Sequence, residues 1–375
     1  MSIAFLEADF PETDAVAEAA DRRVPSRRAA TAERFAALVA HGMLDVAPAG
    51  DGRTRDRWAQ LTALAEEDLA VARLAEGHVD ALTILRELGA DPRALPEDPH
   101  PPASRGAGRP PERPELWGVW AAEPPGTGLS ATRDDAGAWR LDGLKAYCSG
   151  ARSCTRALVT ARSRAPGAPG AAADERRLFA VSRGEAGLRP RPESWPVDAM
   201  AASDTLDIEF DGVRAVPVGG PGAYLERPGF QHGGIGVAAC WYGGARGVAR
   251  TLHTAARTYD VGPHALAHLG AVCASLRALG ALLDAAGAEI DADPQDRLGG
   301  AAVRSKQVRA TAERTCGDVL DRVGRALGAG PLAHDADHAR RVADLTVYVR
   351  QHHAERDYAT LGRRLAELEW HEVAR

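Results

Sequence analysis

Along this chain the hydrophobic period changes twice, from helical to extended and back to helical. Between Asp14 and Leu88, in a stretch rich in Ala, Leu, Glu and Arg, Leu61, Leu64, Leu69, Leu74, Leu82, Leu85 and Leu88 recur at the spacing of one helix face. From Leu116 to about Pro228 the apolar residues instead fall in short runs, Trp117 to Ala122, Trp139 to Leu141, Arg156 to Ala161, Leu178 to Ser182 and Thr205 to Phe210, parted by Gly, Pro and Asp. In the last of these, Leu206, Ile208 and Phe210 alternate with Asp207 and Glu209, the period of a half-buried strand. Beyond Pro228 the helical stripe returns through Leu266, Leu269, Val272, Cys273, Leu276, Leu279 and Leu283, then through Val303, Val308, Ala312, Cys316, Val319, Leu320, Val323 and Leu327. A last helix is expected from about His338 to Leu368, because no Gly or Pro precedes Gly362.

This order predicts an α+β chain of three parts: residues 1–115 helical, 116–228 a β module and 229–375 a helical bundle. Residues 96–114 are so rich in Pro, Gly and Arg that they read as a linker, and 165–173 as a loop of a hairpin. With 375 residues, 45% of them hydrophobic and 26% charged, the chain can bury cores of that size. The formal charge of −6 comes without a long run of one sign, which argues against a nucleic-acid surface and for small-molecule partners. Five scattered cysteines, Cys148, Cys154, Cys240, Cys273 and Cys316, lack the spacing of a zinc ribbon and are expected as buried thiols. Met1 to Phe10 carries Glu7 and Asp9 and does not read as a secretory signal. The uncharged stretch from Pro228 to Ala245 is too polar to span a membrane, so a cytoplasmic location is expected.

Three segments carry a resemblance. The first is Trp120-Ala-Ala-Glu123-Pro124-Pro-Gly126-Thr127-Gly128, and the second Trp139-Arg-Leu-Asp142-Gly143-Leu-Lys145-Ala-Tyr147-Cys-Ser149-Gly150. The third is Arg325-Ala-Leu-Gly328-Ala-Gly330. In this order they resemble the acyl-CoA dehydrogenase superfamily, which implies an N-terminal helical domain, a middle β-barrel and a C-terminal four-helix bundle that together hold FAD. The first segment is similar to the loop whose backbone amides and hydroxyl meet the flavin, with Ala122 replacing a hydroxyl residue and Thr127 and Gly128 replacing Gly-Ser. The second is similar to the strand whose aromatic and hydroxyl residues flank the ring, here Tyr147 and Ser149. An aromatic beside a flavin shields its face, and a hydroxyl two residues along the same strand face can bond a ring nitrogen. An ordinary hairpin with Asp142-Gly143 in its turn accounts for part of the same segment. The third is similar to a glycine loop against the pyrophosphate, which implies Arg325 and Gly328 as cofactor residues, and a plain glycine stop at a helix C-terminus reads the same residues equally well. Arg257 stands one position from where the family has a phosphate-binding Arg, and a surface Arg is the plainer reading of it. The resemblance also implies a homodimer or homotetramer with flavin sites completed across the interface.

The chemistry departs from the family at the base. Where most members carry a glutamate this chain has His352, and where a minority carry it earlier, Gly233 to Ala239 offers no carboxylate. On a continuous helix Leu345, Tyr348, His352, Glu355 and Ala359 would share a face, which makes His352 and Glu355 the candidate proton-transferring pair. A surface charge network through His353, Asp357 and Arg356 reads the same residues without function. A metal held by His352, His353 and Glu355 is disfavoured because neighbouring residues diverge on a helix. Arg350 and His352 also resemble the flavin monooxygenases built on this fold, in which a histidine lies near the flavin and assists its reaction with oxygen. The expectations are therefore, in order, an FAD-dependent oxidoreductase acting on an acyl-CoA or acyl carrier protein thioester with an electron-transfer flavoprotein as acceptor, a monooxygenase fed by a flavin reductase, and a non-catalytic binding subunit.

Overall fold

A computed structural model describes residues 13–91, 114–163 and 175–370, so the linker, the 165–173 loop and the first ten residues lie outside it. The first part is three helices, α1 (Thr13–Ala40), α2 (Thr54–Glu67) and α3 (Leu69–Glu87). Asp68 starts α3 by accepting from the amides of Ala70 and Val71 at 2.8 and 3.1 Å, so the chain turns sharply between α2 and α3. Fourteen of the nineteen residues of α3 are buried, which places most of this helix in the interior of the molecule.

Seven strands follow: β1 (Trp117–Trp120), β2 (Gly128–Arg133), β3 (Trp139–Cys148), β4 (Arg156–Ser163), β5 (Glu175–Ser182), β6 (Leu188–Arg191) and β7 (Leu206–Val218). The pairings β4–β2–β3–β7–β5–β4 close a barrel, with β1 parallel to the first half of β4 and β6 on β7. Closure leaves few unpaired edges and fills the interior with Trp120, Leu141, Val159, Phe179, Ile208 and Phe210. The strands β2 and β6 have no clear hydrophobic alternation, and sequence periodicity alone missed them. Asp142-Gly143 is not a hairpin turn: the turn between β2 and β3 is Asp134 to Ala138, and Gly143 sits inside β3 at φ 127° against the Gly128 carbonyl. A Cβ at position 143 would lie 2.4 Å from that oxygen, so glycine is required for close approach rather than for turning.

After the short α4 (Ala223–Glu226), the helical part comprises α5 (Pro228–Thr258), α6 (Gly262–Ala292), α7 (Ala301–Leu327), α8 (Gly330–His334), α9 (Ala336–Tyr348) and α10 (Glu355–Leu365). Helices α5, α6, α7 and α9 pack as a bundle, and α2 and α3 pack on α5. Gly243 lets α2 approach α5 closely, since a Cβ there would meet the Thr62 carbonyl at 2.2 Å. By length and composition α6 is apolar enough to cross a membrane; Val272, Leu279, Leu283 and Ile290 are buried in the bundle core, but most of its apolar window is not, and Leu266, expected on the core stripe, is exposed. Cys273 on the same helix is exposed, against the expectation of five buried thiols.

The single long C-terminal helix is the main correction. The chain leaves α9 through a 3-10 turn, Val349–Gln351, runs extended at His352 and passes Ala354 at φ 43° before α10 begins. His352 and Glu355 therefore do not share a helix face: His352 is 3% exposed, and Glu355 points to solvent. Side-chain pattern could not reveal the break, because neither Gly nor Pro marks it.

Candidate active site

Two of the motif segments meet at one rim of the barrel. Between Lys145 and Cys148 the pairing of β3 with β7 shifts register, and Tyr147 takes φ 58°, a conformation strained for an L residue. This turns the Tyr147 ring outward, 54% exposed, with only an edge contact to Trp195 at 6.3 Å. Its amide is held by Asp207 Oδ1 at 3.1 Å. Two residues on, Ser149 is buried, and its hydroxyl begins a chain that runs through Thr205 at 2.9 Å to Ser203 at 2.8 Å and ends on the Met200 carbonyl. Its own carbonyl accepts from Trp120 Nε1 at 2.9 Å, which ties the end of β1 to the end of β3.

The Glu-Pro loop is fixed beside this rim by a buried ion cluster. Lys145 Nζ lies inside the barrel, 3.3 Å from Glu123 Oε1 and 2.7 Å from Thr160 Oγ1, and Arg176 reaches the other Glu123 oxygen at 2.5 Å. Burial by itself would raise the Glu123 carboxyl, but Lys145, Thr160 and Arg176 together hold it below its ordinary value. Sequence reading took Glu123 and Lys145 only as parts of motifs, and the structure gives them a positioning role. Thr127 Oγ1 closes the loop on the Pro124 carbonyl at 2.9 Å, while Gly126 at φ 85° and Gly128 at φ 143° face open space where a side chain would stand. Ala122 lies at the start of this loop, exposed.

Where barrel and helices meet, polar groups collect on the inner face of α3. Arg73 and Glu76, one turn apart, are joined at 2.6 Å. On one side lies a small cavity lined by Arg73, Gly77, Trp117, Gly118, Ser149 and Cys154. On the other, a second small cavity is lined by Arg57, Glu76, Asp80, Thr83, His232 and Gly236 among others. The open centre of each admits a water-sized body. Burial drives the Glu76 carboxyl up to about 7, against the opposing pull of Arg73. Beyond α3, Arg309 lies 4.6 Å over the Trp241 ring and donates to the Gly234 carbonyl at 2.9 Å and the Gln351 carbonyl at 3.3 Å. Arg73 Nε, Trp241 Nε1, Tyr348 Oη and His352 Nδ1 are buried without a nitrogen or oxygen partner, a concentration that calls for bound water or ligand. Arg73, Glu76, Arg309 and Trp241 escaped sequence reading. The available signal was a charged pair at i, i+3 in an otherwise apolar helix.

His352 caps the same junction. Its ring meets Tyr358 edge-on at 5.2 Å, and burial, reinforced by Arg309 and only partly offset by Asp357, lowers its pKa so that it is neutral at pH 7. Nearby, Asp344 accepts from the Met200 amide at 2.5 Å and is pushed up to about 6, chiefly by burial. The remaining expected cofactor residues stand apart from this rim. Arg257 is exposed in the last turn of α5, about 24 Å along the helix from Trp241 at 1.5 Å per residue. Arg325 is exposed on α7 and paired with Asp321 at 3.5 Å, and Gly328 at φ 66° ends that helix. One protomer does not bring these three to Tyr147 and Ser149. Among the described residues, no group of three His, Cys, Asp or Glu side chains is placed to hold a metal ion.

A flavin fits the rim that is present. Tyr147 offers an exposed aromatic edge, Ser149 a hydroxyl already ordered by Thr205, and the 126–128 loop backbone at two positive-φ glycines that faces open space. With helices, closed barrel and helical bundle in that order, the chain has the acyl-CoA dehydrogenase-like fold. Among solved structures it is similar to KijD3 in complex with FMN and a dTDP-amino-keto sugar, at 19% identity and TM-score 0.71, covering 96% of this chain and 94% of that one. It is also similar to TdsC from Paenibacillus sp. A11-2 with FMN and indole (16%, 0.70, 91% and 96%) and to a nitrososynthase from Micromonospora carbonacea var. africana (20%, 0.67, 96% and 97%). FkbI, described for biosynthesis of a methoxymalonyl extender unit, matches at 15% and 0.69 over 96% of this chain and all of that one. No family model matches the sequence, and no curated protein does.

Proposed function

We propose that this protein is a flavin-dependent monooxygenase that takes reduced flavin from a separate reductase and oxygenates a small polar molecule. The observation that carries the reading is His352: a buried, neutral imidazole with a free Nδ1 stands where the C-terminal segment closes the junction, while Glu355, the only carboxylate expected beside it, lies in solvent. Dehydrogenation of an acyl thioester needs a base at that place, and the one carboxylate of this segment near His352, Asp357, is occupied by the His353 amide at 2.9 Å and held below its ordinary value. The two cavities at the junction each have room for little more than a water, which leaves no space for an aliphatic chain on this side of the rim. The likeness to FMN complexes, to a dibenzothiophene monooxygenase and to a nitrososynthase supports the same direction.

When bound, the flavin supplies the electrons that reduce one oxygen atom to water while the other enters the product. The chain's own part is to cover the ring with Tyr147, to present the Ser149 hydroxyl to its edge, to cradle it with the 126–128 amides and to keep an uncharged imidazole against the reacting oxygen. Arg257, Arg325 and Gly328 serve the phosphate end only if a second copy of the chain brings them, so the proposal includes a homo-oligomer. FMN and FAD both present the ring that this rim fits, and they are the two arms of the binding test.

The test mixes anaerobically reduced FMN or FAD with the purified chain and then with oxygenated buffer. Binding should change the rate at which the reduced flavin reoxidises, and His352→Ala should reverse that change. Reoxidation at the rate of free flavin for both cofactors would end the proposal. Anaerobic bleaching of bound flavin by an acyl thioester would instead establish the dehydrogenase reading, which the likeness to FkbI keeps in view.

A further inference from the structure

Oxygenation with anionic reduced flavin has a fixed proton balance: substrate R–H, O2, the reduced flavin anion and one proton give R–OH, water and oxidised flavin. A proton must therefore reach the site in each turnover, through a protein interior that His352, held neutral, does not supply with one. We infer, on the reading proposed above, that Glu76 delivers this proton, standing in the wall between the cavity that touches Ser149 and the cavity that leads to Arg57, Asp80 and His232. Arg73 lines the first cavity and Glu76 the second, and their 2.6 Å contact is the bridge between them. Each cavity has room for about one water and puts charged groups in a partly apolar wall, Arg73 in the first and Arg57, Glu76 and Asp80 in the second, so a water in each would meet polar partners on either side of the Arg73–Glu76 contact. At the outer end, Arg57 is buried with one long bond, 3.4 Å to the Ala47 carbonyl, and His232 leaves Nδ1 without a partner. These are groups that a bound water would satisfy.

The groups around Glu76 agree with a carboxyl that gains and loses its proton near neutrality. Arg73 and Asp80 face it from α3, Arg57 from α2, Tyr224 from α4, Cys240 from α5, Arg309 from α7 and Tyr348 from the end of α9. Burial and Asp80 favour the neutral acid, and the three arginines favour the anion, so neither form is locked in. Burial holds the Tyr348 and Cys240 protons too tightly for them to serve.

Infrared difference spectra of the cofactor-free protein between pH 5 and 9 test whether Glu76 carries the proton. A protonated-carboxyl band should disappear with a midpoint near 7, be missing from Glu76→Gln and survive in Asp344→Asn, which removes the other buried carboxyl with a raised pKa. In the presence of reduced flavin, oxygen and a turned-over substrate, Glu76→Gln should bind flavin normally, lose about 100-fold in rate and lose the inflection near pH 7, while Glu76→Asp keeps the inflection. Should Glu76→Gln not fold, the Glu76→Asp protein must show the carboxyl band and the rate inflection with one and the same midpoint. A band that persists in Glu76→Gln, or a pH–rate curve identical to that of the unsubstituted protein, overturns the inference and leaves the monooxygenase reading standing. Failure of the unsubstituted chain to bind any flavin removes both.

Discussion

Lys145 Nζ and Glu123 Oε1 lie 3.3 Å apart inside the barrel, Lys145 fully buried, and so join the Glu-Pro loop to the strand that presents Tyr147. A buried pair of this kind is costly to break from one side, because the remaining charge is left without compensation. Lys145→Met should therefore destabilise the fold by about 3–5 kcal/mol and weaken flavin binding through the displaced loop. Urea denaturation measures the first effect, and a loss below about 1 kcal/mol would mean that Arg176 alone neutralises Glu123.

Tyr147 separates stability from binding. At φ 58° its backbone stores on the order of 1 kcal/mol of strain, and its ring buries little. Tyr147→Gly relieves that strain and gives up the edge contact with Trp195, so stability should stay within about 1 kcal/mol of the parent. Flavin affinity should fall at least about tenfold, a loss on the order of 1.4 kcal/mol or more. A fluorescence titration with FMN and FAD reads the affinity, and an unchanged value would remove Tyr147 from the site.

His352 has no hydrogen-bond partner at Nδ1, so His352→Ala should leave the fold nearly intact while abolishing the effect of the chain on flavin reoxidation. Because burial lowers its pKa, the imidazole should take up a proton only below its ordinary range near 6.5. Proton NMR of the histidine Cε1 resonances follows this directly. Titration of His352 above 6.5 would contradict a neutral role.

Asp344 gives the fold a pH dependence whose sign is determined. Its folded value of about 6 lies above that of an exposed aspartate, so the folded protein binds the proton more tightly than the unfolded chain does. Its contribution to stability therefore falls as pH rises from about 4 to about 6 and stays unfavourable above that. Asp344→Asn retains an acceptor for the Met200 amide without the charge. The variant should be more stable than the parent at pH 8, by up to about 3 kcal/mol from the size of that shift, and no more stable at pH 4. Equal denaturation midpoints at pH 8 would show that Arg340 and Arg27 already neutralise the carboxylate.

Periodicity in the sequence was enough to order helical, β and helical parts, because burial of one face forces apolar spacing of 3.6 or 2 wherever an element is half-exposed. Leu206, Ile208 and Phe210 are buried in β7 as that alternation requires, and the second stripe, through Val308, Ala312, Cys316 and Val319, faces the bundle core. The motif segments likewise placed Tyr147 and Ser149 on one strand end. What required the tertiary structure were features with no local periodic signature. The break that buries His352 and exposes Glu355 depends on how the chain packs after Tyr348, on Arg309 holding the Gln351 carbonyl and on Ala354 accepting a positive φ. The Arg73–Glu76 bridge depends on α3 being enclosed on all sides, so that a pair unremarkable on a surface helix becomes a buried one with a carboxyl near neutrality. Local spacing decides which face of an element is apolar. Only long-range packing decides which polar groups lose water, and it is loss of water that sets their chemistry.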